Sequence, residues 1–283
     1  MLMWITWIRA MSIAMVVYLH VMARITQSWG KVPIDEWQLT NITVSLGRVC
    51  VPLFFMVSGY LSLIKYENWK IFYKKRLLSI VLPFVFWWLV YFLYEGNTDK
   101  YHFWFMWVIL PIFVIAPLLN KFKKWKYVIF LIMAGFLSKY TSYVAYFLLG
   151  YWLVEKKFLE KISTKVMLLV YFLCGMGTAW LTWKHTLNLG YFDEKYYSYY
   201  APLVLLGSVA LFLVFYKTKY ENSIIAEKLA KHSFSIYLCH LLILERTYSL
   251  GPVLQFALSL FGGLVLAMIV DRLIVWIQQK ISP

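Results

Sequence analysis

Charge is scarce in this chain. Of its 283 residues only 14% are Asp, Glu, Lys or Arg, where an ordinary soluble domain carries about 25%. Hydrophobic residues make up 62% and aromatic ones 20%, so a soluble globular domain is excluded. Acidic residues number only 13, which leaves few carboxylates to neutralise any cation buried in an apolar span. Cysteine is rarer still. Cys50, Cys174 and Cys239 all fall inside apolar stretches without ligand-like spacing, so they are read as packing residues and no metal site is expected. Gly/Ser-rich linkers are missing and no loop exceeds about 15 residues, so residues 1–283 are expected to form one membrane domain without an appended soluble domain.

What is present is a series of apolar windows. A helix crossing the hydrocarbon of a bilayer needs about 20 mostly apolar residues. Charged and turn-rich interruptions divide this sequence into ten candidate helices at about 4–25, 40–64, 77–94, 101–119, 126–138, 141–154, 164–183, 199–216, 232–249 and 252–275. The fifth and sixth are short, and Gly135, Ser138 and Lys139 could instead mark a re-entrant pair. Arg9 within the first window, with no basic segment before it, argues against a cleaved signal peptide. The fold class expected is all-α, a polytopic integral membrane helix bundle of about ten transmembrane helices.

Lys and Arg number 28 against the 13 acids, a formal charge of +15. Its distribution argues for topology and against nucleic acid. With the N-terminus in the cytoplasm, segments 65–76, 120–126, 155–165, 217–231 and 272–283 hold 19 basic residues and the opposite side holds 7. This asymmetry predicts an N-in, C-in arrangement with an even number of crossings. About +13 of the net charge then sits on the cytoplasmic face. Arg9 and Arg48 remain inside spans.

Ionisable groups in hydrocarbon cost roughly 2.5 to 3.5 kcal/mol each on insertion scales and are therefore functional candidates. Arg9 and His20 are eleven residues apart, about 16 Å along a helix and almost three full turns, so they project from one face at different depths. The plainer reading is that Arg9 snorkels to lipid phosphates and His20 makes an interfacial hydrogen bond. Arg48 lies too deep in its span to reach the inner interface and is expected to face a polar cavity; its plainer reading is a buried structural pair with a carboxylate. His102, within YHFWF, and His240 are further candidates. Glu245 and Arg246 are read as an outer ion pair, an interfacial anchor or a substrate-orienting pair. Aromatic residues near the outer ends, among them Trp104, Tyr197 and Tyr199, suit an interfacial belt or stacking on sugar faces.

Five segments carry a resemblance to a known family. IRAMSIAMVVYLH (8–20), GRVCVPLFFMVSGYLS (47–62), KKRLLSIVLPF (74–84), HFWFMWVILPIFVIAPLL (102–119) and SFSIYLCHLLIL (233–244) together resemble the membrane acyltransferase-3 family, bacterial O-acyltransferases that modify surface glycans. The resemblance spans most of the chain and includes the first-helix Arg, ten intervening residues and His.

The resemblance implies transfer of an acyl group, acetyl first, from cytoplasmic acyl-CoA to a hydroxyl of an extracytoplasmic glycan or lipid-linked saccharide, in the bacterial cytoplasmic membrane. Acetyl-CoA would be the co-substrate and no metal would be needed. On this reading Arg9, Lys74, Lys75 and Arg76 bind the CoA phosphates. His20 acts as general base or as acyl carrier, and Arg48 stabilises the developing negative charge. His102, Trp104, His240 and Glu245 serve the acceptor or proton exchange. The lipid bilayer is the other partner, and both a monomer and a homo-oligomer are compatible with the sequence. A secondary transporter or flippase of a small anion or lipid-linked sugar is the alternative, for which intramembrane Arg and His are equally natural.

Overall fold

The computed structural model of the chain describes residues 2–64, 68–96, 100–121, 138, 141–156 and 161–281. Among these residues every regular element is helical. Helix α1, Met3–Thr26, runs through the middle of the bundle and buries Ile5, Ile8, Ile13, Val16, Val17 and Val21. Helices α2, Ile34–Gly47, and α3, Cys50–Leu63, both pack on it. The sequence predicts one helix over 40–64; the structure divides it at Arg48 and Val49. Pro52 supplies the reason, because it has no N–H to donate to the Arg48 carbonyl and its ring crowds that oxygen. Arg48 N–H falls back to the Ser45 carbonyl at 3.4 Å, and the helix restarts with Leu53 N–H on the Val49 carbonyl at 3.0 Å.

Helix α4, Trp69–Arg76, is capped by the Asn68 side chain, which accepts from Lys70 N–H at 2.9 Å. A π-helical turn, Leu77–Val81, joins it to α5, Leu82–Glu95. Pro83 again withholds a donor one turn downstream, and wide turns of this kind accompany functional sites. A 3₁₀ turn, Tyr101–Phe103, leads into α6, Trp104–Lys121. The helix expected over 126–138 lies outside the described residues, apart from Ser138. Next come α7, Ser142–Lys156, and α8, Thr164–Leu189. They are followed by a 3₁₀ turn at Lys195–Tyr197 and by α9, Pro202–Lys217. Helix α10, Ile224–Arg246, lies against α1. The chain then forms α11, Pro252–Ala257, a π-helical turn at Leu258–Gly262 and α12, Gly263–Ile281.

Seven of the described helical segments are long and apolar enough to cross a membrane: Met3–Thr26, Ile34–Leu63, Trp69–Glu95, Tyr101–Leu119, Thr164–Leu189, Lys195–Lys217 and Pro252–Trp276. Helix α7 matches the predicted 141–154 but has only 15 residues. Helix α10 has 23 but carries charges at both ends, Glu227, Lys228 and Lys231 at one and Glu245 and Arg246 at the other. On α8, Val166, Leu169, Phe172, Leu173, Met176 and Trp180 form an exposed apolar stripe at helical spacing, the face a lipid-immersed helix presents. The molecule is therefore a multi-pass membrane protein, all-helical across the described residues.

One crossing depends on glycine. A Cβ added at Gly59 of α3 would stand 1.6 Å from the Phe147 carbonyl oxygen, and one at Gly150 of α7 would stand 2.0 Å from that of Met56. The two backbones touch, as small residues permit in membrane helix pairs. This contact holds the short α7 against the stretch that begins at Arg48.

Candidate active site

Two cavities open inside the bundle, and α1 contributes to both. The first, about 470 Å³, is lined by Arg9, Ser58, Arg76, Ser79, Lys231, His232, Ser233, Ser235 and Asp271 among a larger number of apolar side chains. The second, about 1170 Å³, is lined by His20, Arg48, Tyr101, His102, Trp104, Asp193, Glu194, Tyr197, Tyr199 and Tyr237, among others. Arg9 and His20 thus occupy different chambers along one helix face. Val16, between them in sequence, lines both.

In the His20 chamber the hydrogen bonds assign the imidazole tautomers. A carbonyl oxygen only accepts, so the His240 ring nitrogen facing the Tyr237 carbonyl at 2.8 Å and the Ile236 carbonyl at 3.2 Å is Nδ1–H. In the neutral ring Nε2 is then a lone pair, and it lies 3.1 Å from His20 Nδ1. His20 Nδ1 also faces the Val16 carbonyl at 2.9 Å, so its proton is shared between these two acceptors. The remaining nitrogen of His20, Nε2, is an unprotonated lone pair with no hydrogen-bond partner among the described residues. Tyr101 stands over the His20 ring at 5.6 Å.

His102 is fully buried and donates from Nε2 to the Leu238 carbonyl at 3.2 Å. Its Nδ1 has no hydrogen-bond partner among the described residues. The Tyr237 hydroxyl donates to the His102 backbone carbonyl. Trp104 stacks on Tyr199, with ring centroids 6.1 Å apart and planes 25° apart.

Arg48 sits where α2 breaks. Its guanidinium lies over the Tyr197 ring at 4.4 Å, and Nη2 is 3.9 Å from Glu194 Oε1. The Glu194 side chain is 63% exposed, so this is a loose, solvated contact and no buried pair is formed. Tyr197 is itself held by Asn41, whose Oδ1 accepts from its hydroxyl at 2.6 Å while Nδ2 donates to the Ala179 carbonyl at 2.8 Å. Arg48 Nε has no hydrogen-bond partner among the described residues. The guanidinium is thereby positioned by a ring and left with hydrogen-bonding capacity.

The Arg9 chamber has a different character. Arg9 Nη2 donates to Ser233 Oγ at 3.0 Å, and Arg76 Nη2 donates to Ser62 Oγ at 2.8 Å while its guanidinium lies over Phe113 at 4.5 Å. Asp271 accepts from Ser235 and lies 2.5 Å from His232 Nδ1. Two arginines from distant parts of the sequence therefore meet in one cavity, with Lys231 beside them.

Of the residues predicted from sequence, His20, Arg48, His102 and Trp104 come together in one chamber, and Arg9 and Arg76 in the other. His240 reaches the first through its bond to His20. Lys74 and Lys75 are exposed on α4 and line neither cavity. Glu245 also lines neither. It accepts from Lys100 Nζ at 3.0 Å, and Lys100 bridges it to Glu95. Burial opposes the Lys100 charge, yet its bonds to Glu95 and Glu245 outweigh that and raise its ammonium above the ordinary lysine value. Arg246 lies over Tyr94 at 4.4 Å.

Sequence reasoning missed His232 and the carboxylate of Glu194. His232 precedes His240 by eight residues, a little over two helical turns, so shared-face spacing on α10 was the available signal. Glu194 sits in a loop and carries no such periodicity.

A sequence model of the family described as "Acyltransferase domain", of the acyltransferase-3 type, matches residues 2–272. No curated protein and no solved structure matches the chain.

Proposed function

We propose that this chain, which belongs to the acyltransferase-3 family, moves an acyl group, acetyl first, from cytoplasmic acyl-CoA to a hydroxyl of an extracytoplasmic glycan or glycolipid. The observation that carries the proposal is the pair of chambers along α1, one holding Arg9 and Arg76, the other His20 and Arg48. A reaction whose two substrates approach from opposite sides of a membrane needs such a division. The positive-inside tendency supports a cytoplasmic Arg9 end, since α4 carries Lys70, Lys74 and Lys75 alongside Arg76. The resemblance of the five sequence segments is what supports the bacterial cytoplasmic membrane as host.

Arg9, Arg76 and Lys231 offer charge-assisted hydrogen bonds to CoA phosphates. Ser58, Ser233 and Ser235 offer hydroxyls to the amides of the pantetheine arm. In the other chamber Trp104, Tyr197 and Tyr199 give flat surfaces for a sugar ring, and the carboxylates of Asp193 and Glu194 accept from its hydroxyls.

His20 Nε2 takes the proton of the acceptor hydroxyl as its oxygen attacks the thioester carbonyl carbon. Arg48 donates to the carbonyl oxygen as charge gathers there; one such donor is worth about 2.7 to 4 kcal/mol. The carbon–sulfur bond then breaks, the ester remains on the acceptor, and the CoA thiolate leaves toward the Arg9 chamber. The histidinium proton returns to solvent. His240 keeps Nε2 of His20 as the free base by accepting from Nδ1–H.

The test is acyl-CoA-dependent O-acylation by the purified protein in reconstituted membranes. His20→Ala is expected to lower the rate by at least about 100-fold, the contribution of a positioned base. Full activity in that variant would remove His20 from this role.

A further inference from the structure

Among the described residues the two chambers share four lining residues: Val16 of α1, Val51 of α3, Phe105 of α6 and Tyr237 of α10. They form a collar between the chambers. Each stands one helical turn from a polar group of the His20 chamber. Val16 precedes His20 by four residues and accepts its Nδ1–H, and Val51 follows Arg48 by three. Phe105 follows His102 by three, and Tyr237 precedes His240 by three.

We infer that this collar is the acyl-binding subsite, and that it restricts the protein to short, uncharged acyl groups. The inference rests on the acyl-transfer reading above and specifies its donor. A thioester reached from one chamber and attacked from the other must place its carbonyl carbon where the chambers meet, and the acyl tail then packs on the collar.

The collar is apolar and its members are held in place. Phe105 makes an edge contact with Tyr237, ring centroids 5.3 Å apart, and is backed by Phe55 at 5.1 Å. The Tyr237 hydroxyl is engaged at the His102 carbonyl. Val16 and Val51 are buried and β-branched, with few rotamers to open space. A longer tail must displace one of these side chains. A succinyl carboxylate would either lie against them unpaired or draw Arg48 away from the carbonyl oxygen, and both outcomes oppose transfer.

The experiment compares acetyl-, propionyl-, butyryl- and succinyl-CoA as donors for the reconstituted protein, in the wild type and in Phe105→Ala and Val51→Ala. Each variant is first checked for a monodisperse gel-filtration profile in detergent. The wild type is expected to favour acetyl over butyryl and succinyl by at least about 10-fold, the discrimination a packed site gives against added methylenes. In Phe105→Ala the butyryl-to-acetyl ratio of kcat/KM should rise by about 10-fold or more, with succinyl gaining less. Val51→Ala should shift the ratio in the same direction, so the prediction survives if one variant fails to fold. Wild-type use of succinyl-CoA equal to acetyl-CoA, or an unchanged butyryl-to-acetyl ratio in both folded variants, overturns the collar assignment and leaves acyl transfer standing. No transfer from any of the four donors overturns acyl transfer itself, and the collar assignment with it.

Discussion

A neutral imidazole has one lone pair to give, and at His20 the neighbours decide where it is. The Val16 carbonyl and His240 Nε2 both claim the Nδ1 proton, leaving the lone pair on Nε2, where the proposed mechanism needs it. In the proposed mechanism Arg9 has the complementary task. Its guanidinium is held by Ser233 in a chamber that also contains Arg76 and Lys231, which suits a polyanion. Charge-assisted hydrogen bonds contribute about 1.5 to 3 kcal/mol, so Arg9→Ala should weaken acyl-CoA binding by about 10- to 100-fold, with the acceptor KM nearly unchanged. Calorimetric titration of acyl-CoA into the purified variant checks this, and equal affinity would count against it. The cost of a charge in hydrocarbon made Arg9, His20 and Arg48 legible in the sequence. The carboxylate near Arg48 was not, because Glu194 arrives from a loop 146 residues later.

Among the elements, proline and glycine set the geometry that hydrophobicity alone does not. The window 40–64 is apolar on both sides of the lone charge at Arg48, so it reads as one span. Pro52 divides it, and the division places Arg48 beside the chamber. The window at 141–154 is equally apolar but short, and what fixes α7 is its backbone contact with α3 at Gly59 and Gly150. Gly59→Ala or Gly150→Ala should cost about 3 kcal/mol or more through overpacking, since the atoms met are carbonyl oxygens that cannot rotate away. Thermal unfolding followed in detergent should show a clear drop in Tm for either variant. An unchanged Tm would contradict the close crossing.

At the scale of the whole molecule, the proposed topology puts most of the +15 on one side of the membrane. Arg76 and Lys231 line the Arg9 chamber, and aromatic and acidic residues between Asp193 and Tyr200 line the other. Membrane character was readable from composition and from the apolar windows. The two chambers and their collar were not, because they depend on how α1, α3, α6 and α10 meet, and those helices are far apart in the sequence. The central claim is that acyl transfer is vectorial along α1. Its most direct test uses proteoliposomes of defined orientation, with labelled acetyl-CoA confined to the Arg9 side and a saccharide acceptor to the His20 side. The account expects covalently labelled acceptor on the His20 side, with no labelled CoA crossing. Passage of an unmodified anion or saccharide without covalent transfer would contradict it and indicate a transporter instead.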